Sequence, residues 1–136
     1  MVILIDTNII LDHLISRQPF MDNSNKILTL CFQQKCDGYI AAHTIPNIFY
    51  ILRKQFSESE RKKMLIELCE FIEVAGIHKS QVINALTNEN FKDLEDCLQV
   101  ECAKLIHADY ILTRNIDDFS FSSIPAILPE KFLEII

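Results

Sequence analysis

Residues 2–5, VILI, form a short unbroken apolar run with β-branched side chains, a pattern suited to a central strand buried on both faces. The run stops at Asp6, and a helical pattern follows with Ile9, Ile10 and Leu14 on one side. Within residues 20–35, Ile27, Leu28 and Cys31 recur at helical spacing, and Gly38 precedes a second strand-like stretch, YIAA (39–42). Thr44 is a candidate cap, with Pro46 in the first turn of a helix carrying Ile48, Phe49, Ile51 and Leu52. Ser57 and Glu60 have the spacing of a capping box, and the next helix runs through Met64, Leu65, Leu68 and Cys69. FIEVAGI (71–77) reads as a third strand and SQVINALTN (80–88) as a helix. DLEDCLQVECAKLIHA (93–108) reads as a long amphipathic helix whose apolar stripe is Leu94, Leu98 and Leu105, and DYILT (109–113) as a fourth strand. PAILP (125–129) and EKFLEI (130–135) close the chain as a short strand and a helix.

Strands alternating with helices predict an α/β domain with a mainly parallel sheet of four to five strands. No repeat, low-complexity tract or linker interrupts the chain, so residues 1–136 read as a single domain. Hydrophobic residues make up 49 % of it, enough for a substantial core, while no apolar run has the roughly 18 residues of a membrane helix. No basic n-region or cleavage site stands at the N-terminus, and the expected location is cytoplasmic, with no membrane partner.

Cys31, Cys36, Cys69, Cys97 and Cys102 are odd in number, fall in helix-like segments and form no C-x-x-C pair, so buried free thiols are expected. His13, His43, His78 and His107 are scattered, and zinc is not expected. The net charge is −6, from 13 basic and 19 acidic residues. That balance opposes a protein gripping nucleic acid through a basic surface, unless a divalent cation neutralises acids gathered in one pocket.

The sequence contains the makings of such a pocket. Asp6 ends a strand, and in open parallel sheets ligands bind in the crevice at the C-terminal strand ends where the strand order reverses. TRNIDDF (113–119) leaves another strand end, bringing Asn115, Asp117 and Asp118 to the same rim if the two strands are neighbours. In NFKDLEDCLQ (90–99), Asp93, Glu95 and Asp96 crowd a helix start. Asp93 could serve as the cap there and Asp96 as the third residue, both favoured by free amides and the helix dipole. Hard oxygen ligands from separate segments suit Mg²⁺ or Mn²⁺, and a bound ion could polarise a phosphoryl oxygen and activate water, which is phosphodiester hydrolysis in outline.

The order and spacing of IDTNIILD (5–12), IPNIFYILRK (45–54), the stretch from Asp93 to Phe119 and ILPEKFL (127–133) resemble the PIN-domain family, a nuclease fold that includes many toxin-antitoxin ribonucleases. The resemblance spans nearly the whole chain. It implies a three-layer α/β/α fold and metal-dependent cleavage of RNA, with Asp6 as the first metal-binding aspartate, Asp96 as the acid of the late helix and Asp118 as the aspartate of the final block. Asp93 is a further candidate ligand, and Asn115 takes the place of the first acid in that block. The glutamate that many members carry after the second strand is matched by Asn47. Each neutral replacement removes one negative charge from the pocket. The resemblance also implies a homodimer and a small antitoxin partner that inserts into the acidic cleft.

Arg114, Asn8 and Asn47 are candidate contacts to RNA, Arg114 through a bidentate phosphate interaction. Each also has a structural reading: Thr7 and Asn8 as helix caps, Arg114 as the ion-pair partner of nearby acids. Asp12 is expected to face solvent. The basic residues at 53–54 and 61–63 could meet RNA backbone or pair with Glu58, Glu60 and Glu67 on solvated faces, and Phe49, Tyr50 and Phe56 read as packing or partner-surface groups. Two other functions compete with the ribonuclease: a degenerate module that keeps the fold and binds RNA or a protein, and phosphotransfer through Asp6. The second requires an acid where the chain has Asn8.

Overall fold

A computed structural model describes residues 1–136. Strand β1 (Val2–Ile5) lies at the centre of the sheet, paired with β2 (Asp37–Ala41) on one edge and β4 (Tyr110–Leu112) on the other. Its apolar run is explained by burial on both sides. Ile3 and Ile5 enter one core, Leu4 enters the other, and all three are fully buried. With β3 (Glu73–Ala75) and β5 (Ala126–Ile127) the sheet has five strands in the order β3-β2-β1-β4-β5, every pairing parallel. The strand order reverses beside β1, so the crevice predicted for a ligand falls between the ends of β1 and β4.

Helices cover both faces. The core on one side joins Ile3 and Ile5 to residues of α1 (Thr7–Leu14), α2 (Met21–Phe32), α3 (Thr44–Ile51), α4 (Glu58–Leu68) and α7 (Pro129–Ile135). On the other side α6 (Leu94–Leu105) lies against the sheet, and α5 (Lys79–Thr87) packs on α6. This is the expected three-layer α/β/α arrangement.

Local chemistry explains most boundaries. The Ser57 hydroxyl accepts from the Glu60 amide at 3.2 Å while the Glu60 carboxylate accepts from the Ser57 amide, a complete capping box at the start of α4. Thr44 is not the cap of α3; it lies inside the helix, and its buried hydroxyl meets that of Thr7 at 3.1 Å, tying α3 to α1. The expected stripe on α6 is also corrected. Leu94 and Leu105 are exposed, and the buried face is Cys97, Val100, Cys102 and Ala103. Opposite it the sheet presents Leu4, Ala41 and Ala75, so small side chains on both surfaces let the helix approach closely. Cys69 is exposed and Cys36 sits outside any helix, whereas the other three cysteines are buried and helical. No helix is long and apolar enough to cross a membrane.

Candidate active site

The backbone amide of Asp6 donates to the Leu112 carbonyl at 2.9 Å, extending the β1–β4 ladder past the end of β1 and fixing this residue at the crevice. Its side chain is 5 % exposed. One oxygen accepts from Gln99 Nε2 and the other from the Thr113 hydroxyl, each at 2.9 Å. Both donors are neutral, and none of the ion pairs in the molecule involves Asp6. The Thr113 hydroxyl also accepts from the Asn115 amide at 3.0 Å, which links Asp6 to the turn carrying Asn115, Asp117 and Asp118.

Asp93 caps α6, its Oδ1 accepting from the amides of Glu95 and Asp96 at 2.8 and 3.2 Å. The cap aims the first turn of α6 at the crevice. Asp96 is half-buried, and its carboxyl is pushed up to about 7, first by burial and then by the charges of Asp93, Asp6, Asp118 and Glu95. The amides and dipole of the helix start favour a carboxylate, yet burial and the surrounding acids prevail. Asp93, Asp96, Asp117 and Asp118 line a cavity of about 320 Å³, flanked by Phe91 and Phe121. Phe119 anchors the turn beneath Asp118 in the core. Acids from β1, α6 and the turn after β4 thus crowd one rim.

Asn47 and Glu95 meet at the margin of this group. Asn47 Nδ2 donates to Glu95 Oε1 at 2.9 Å, so a carboxylate from α6 stands beside the neutral residue of α3. His43, just beyond β2, has both ring nitrogens buried without partners, and burial lowers its pKa while Glu95 pulls the other way.

The donor set fits a hard divalent cation. Without one, Asp96 retains a proton near neutral pH, and a cation could take that proton's place. No three carboxylate, thiolate or imidazole groups close tightly enough to encage a bare ion. An open group of oxygens suits Mg²⁺ or Mn²⁺, which use one or two carboxylates and keep several waters.

The remaining candidates occupy a second cluster. Asp12, expected in solvent, is completely buried. Arg114 grips it in a bidentate pair, Nε to Oδ2 at 2.8 Å and Nη2 to Oδ1 at 3.2 Å, and Arg17 adds a contact at 3.7 Å. The helix pattern of α1 concealed this, because the charge is met by residues outside that helix. Arg114 also stacks on Phe20, 3.9 Å from the ring centre, and Arg17 Nη1 donates to Asn8 Oδ1 at 3.3 Å. Asn115 is exposed on its turn. The two lysines of α4 take the solvated reading, Lys62 pairing with Glu58 at 2.7 Å and Lys63 approaching Glu67 at 3.8 Å, whereas Arg61 stacks on Phe49 and donates to its carbonyl at 2.8 Å. Sequence reasoning missed Gln99 and Thr113, the two residues that hold Asp6. Gln99 lies one helical turn beyond Asp96 and Thr113 directly follows β4, placements that could have suggested both.

The sequence matches the PIN domain family over residues 2–117. It is 28 % identical over 139 aligned positions to a ribonuclease VapC1 from Aquifex aeolicus (strain VF5), covering 97 % of this chain and 93 % of the relative. Among solved structures, the fold resembles VapBC2 from Rickettsia felis bound to a DNA fragment from its promoter, with a TM-score of 0.70 at 14 % identity, covering 94 % of this chain and 98 % of that one. It also resembles VapC20 of Mycobacterium tuberculosis, a toxin that cleaves the sarcin-ricin loop, with a TM-score of 0.68 at 11 % identity and coverage of 90 % and 95 %.

Proposed function

The chain belongs to the PIN domain family, and on that premise we propose that it is a metal-dependent ribonuclease and the toxin of a toxin-antitoxin pair. The observation that carries this reading is the gathering of Asp93, Asp96, Asp117 and Asp118 around one cavity beside the buried Asp6, where the lysine on the wall, Lys92, forms no ion pair with any of them. The names of the relatives, a ribonuclease and a loop-cleaving toxin, support the reaction class.

In this proposal Asp6, Asp96 and Asp118 hold Mg²⁺ or Mn²⁺, with the second oxygen of Asp93 as a further donor. The ion supplies Lewis-acid polarisation of the phosphoryl group and charge to stabilise the transition state. Gln99 and Thr113 keep the Asp6 carboxylate in one orientation, so it need not reorganise as the substrate arrives. Thr113 also sets the start of the turn on which Asn115 reaches the rim. Glu95, tied to Asn47, restores a negative charge beside the position where α3 lacks one. Arg114, Arg17 and Asn8 form the cationic flank, and RNA phosphates lie along it while the scissile group faces the acids. A small antitoxin covers the acidic cleft with a basic segment, and the toxin works as a homodimer in the cytoplasm.

Purified protein incubated with single-stranded and structured RNA tests the reaction. Cleavage should vanish in chelator and return with Mn²⁺ or Mg²⁺. RNA that is bound but left intact at millimolar metal would assign the chain to the degenerate binding reading instead, and growth arrest on expression, relieved by a neighbouring short gene, tests the toxin assignment.

A further inference from the structure

At the opposite end of the sheet from the acids, Cys31 in the last turn of α2 and Cys36 before β2 place their sulfurs 3.5 Å apart. Both are buried, at 3 % and 4 % exposure. The turn between them is tight: Gln34 has φ of 56°, and the Lys35 amide donates to the Leu30 carbonyl at 2.9 Å. Gly38 makes room for the pair, since a Cβ there would stand 2.6 Å from Cys31 Sγ and 2.8 Å from Ile72 Cδ1. Both thiols line a cavity of about 690 Å³ whose walls also carry Asp37, Glu70 and Glu73.

Two thiols in contact do not titrate alike. The two sulfurs share a hydrogen bond in which either thiol can donate, and the contact lowers the pKa of Cys36 and raises that of Cys31, although burial and Asp37 oppose ionisation at Cys36. The pair therefore holds a nucleophilic sulfur and a proton-bearing one within reach of each other. Cys69, Cys97 and Cys102 all have raised pKa values, chiefly through burial.

We propose that Cys31 and Cys36 form a dithiol that small neutral peroxides oxidise to an intramolecular disulfide. The Cys36 thiolate attacks one peroxide oxygen, forming an S–O bond and breaking the O–O bond, and the departing hydroxide takes a proton and leaves as water. Cys31 sulfur then attacks Cys36 sulfur, forming the S–S bond and expelling the sulfenic hydroxide, which leaves as water with the Cys31 proton. Two thiols lose two electrons in total, and one hydrogen peroxide becomes two waters. The acidic walls at Asp37, Glu70 and Glu73 disfavour anionic disulfides such as oxidised glutathione.

The full chain, treated with hydrogen peroxide or with oxidised glutathione at equal concentration, then alkylated and digested, reads the outcome by mass spectrometry. Cleavage after Lys35 separates Cys31 from Cys36, so a disulfide holds peptides 27–35 and 36–53 together. The expected result is the linked pair after peroxide, formed at least about tenfold faster than with oxidised glutathione. Cys31→Ser should leave Cys36 as a sulfenic acid that a cyclic 1,3-diketone captures. Separate, alkylated peptides after peroxide, with oxidation falling on exposed Cys69 instead, would overturn the proposal, as would a glutathione adduct on Cys36 formed as fast as the disulfide.

Discussion

Asp6 and Asp12 are buried carboxylates on the same β1–α1 segment, and the fold meets them in opposite ways. Asp12 receives a bidentate arginine and a second guanidinium nearby, so opposite charges offset much of its desolvation. Asp6 receives an amide and a hydroxyl, dipoles that orient a charge without cancelling it, and its charge helps to raise the pKa of Asp96. Arg114 and Arg17 are committed to Asp12, whereas no cation pairs with Asp6 and the lysine beside the rim acids, Lys92, forms no ion pair with them. A buried acid with its own arginine is an architectural joint, whereas an acid gathered with other acids holds a place for a charge from outside.

Exchanging each aspartate for asparagine gives the largest test of this contrast. Asp6→Asn should lower RNA cleavage by about 10³-fold or more, since it removes a ligand charge at the proposed ion. Its fold should survive, because the unpartnered Gln99 Oε1 can accept from the new amide. Asp12→Asn should act on stability instead. It leaves two arginines without their buried counter-charge, at a cost of about 2–4 kcal/mol, or a melting temperature lower by roughly 6–15 °C. Unfolding by the first substitution, or loss of cleavage without loss of stability in the second, would reverse the assignment.

A smaller effect tests whether the acids at the rim do repel. The Asp96 carboxyl has a pKa of about 7 when folded against 3.8 in the free side chain, so the unfolded state ionises first. The resulting penalty is absent below pH 3.8, grows as pH rises toward 7 and is complete above it. A shift of this size corresponds to about 4 kcal/mol, which solvent screening of a half-exposed group reduces to about 1–2 kcal/mol. Metal-free Asp96→Asn should therefore melt higher than the parent at pH 8 and nearly level with it at pH 4. Mg²⁺ at pH 8 should narrow that gap by stabilising the parent. A gap that ignores both pH and metal would show that the acids do not share a field.

Much of the architecture was legible because its signals are local. An apolar run with β-branched residues such as VILI suits a strand buried twice over, and the Ser57–Glu60 box marks its helix by itself. That Asp6 and the turn carrying Asp118 share a rim followed from the rule that parallel strands deliver their C-terminal ends to one crevice, whereas Asp96, at the start of a helix, was indicated by the family resemblance. What the sequence hid were partners that meet only after folding. Arg114 reaches Asp12 across 102 positions, and Gln99 reaches Asp6 across 93. On α6 the leucines suggested a stripe, but close approach to the sheet selected small residues for the buried face, a choice dictated by Ala41 and Ala75 on other strands.

The gentlest test uses a third buried acid, Glu101, which is 5 % exposed on α6. Lys104 Nζ meets one of its oxygens at 3.0 Å and Asn84 donates to the other at 3.3 Å. The lysine is 44 % exposed, so water can replace it, and Lys104→Met should cost only about 0.5–1 kcal/mol while leaving cleavage unchanged. The substitution also creates a single buried acid without a cation. If a lone unmet charge were enough to recruit a divalent ion, this variant would gain a second Mg²⁺-dependent rise in melting temperature beyond that of the parent. If several acids must converge, as they do around Asp96, the rise with Mg²⁺ should match the parent's. An additional rise would mean that Asp6 differs from Asp12 only in lacking an arginine, and that its neighbours at the rim add nothing.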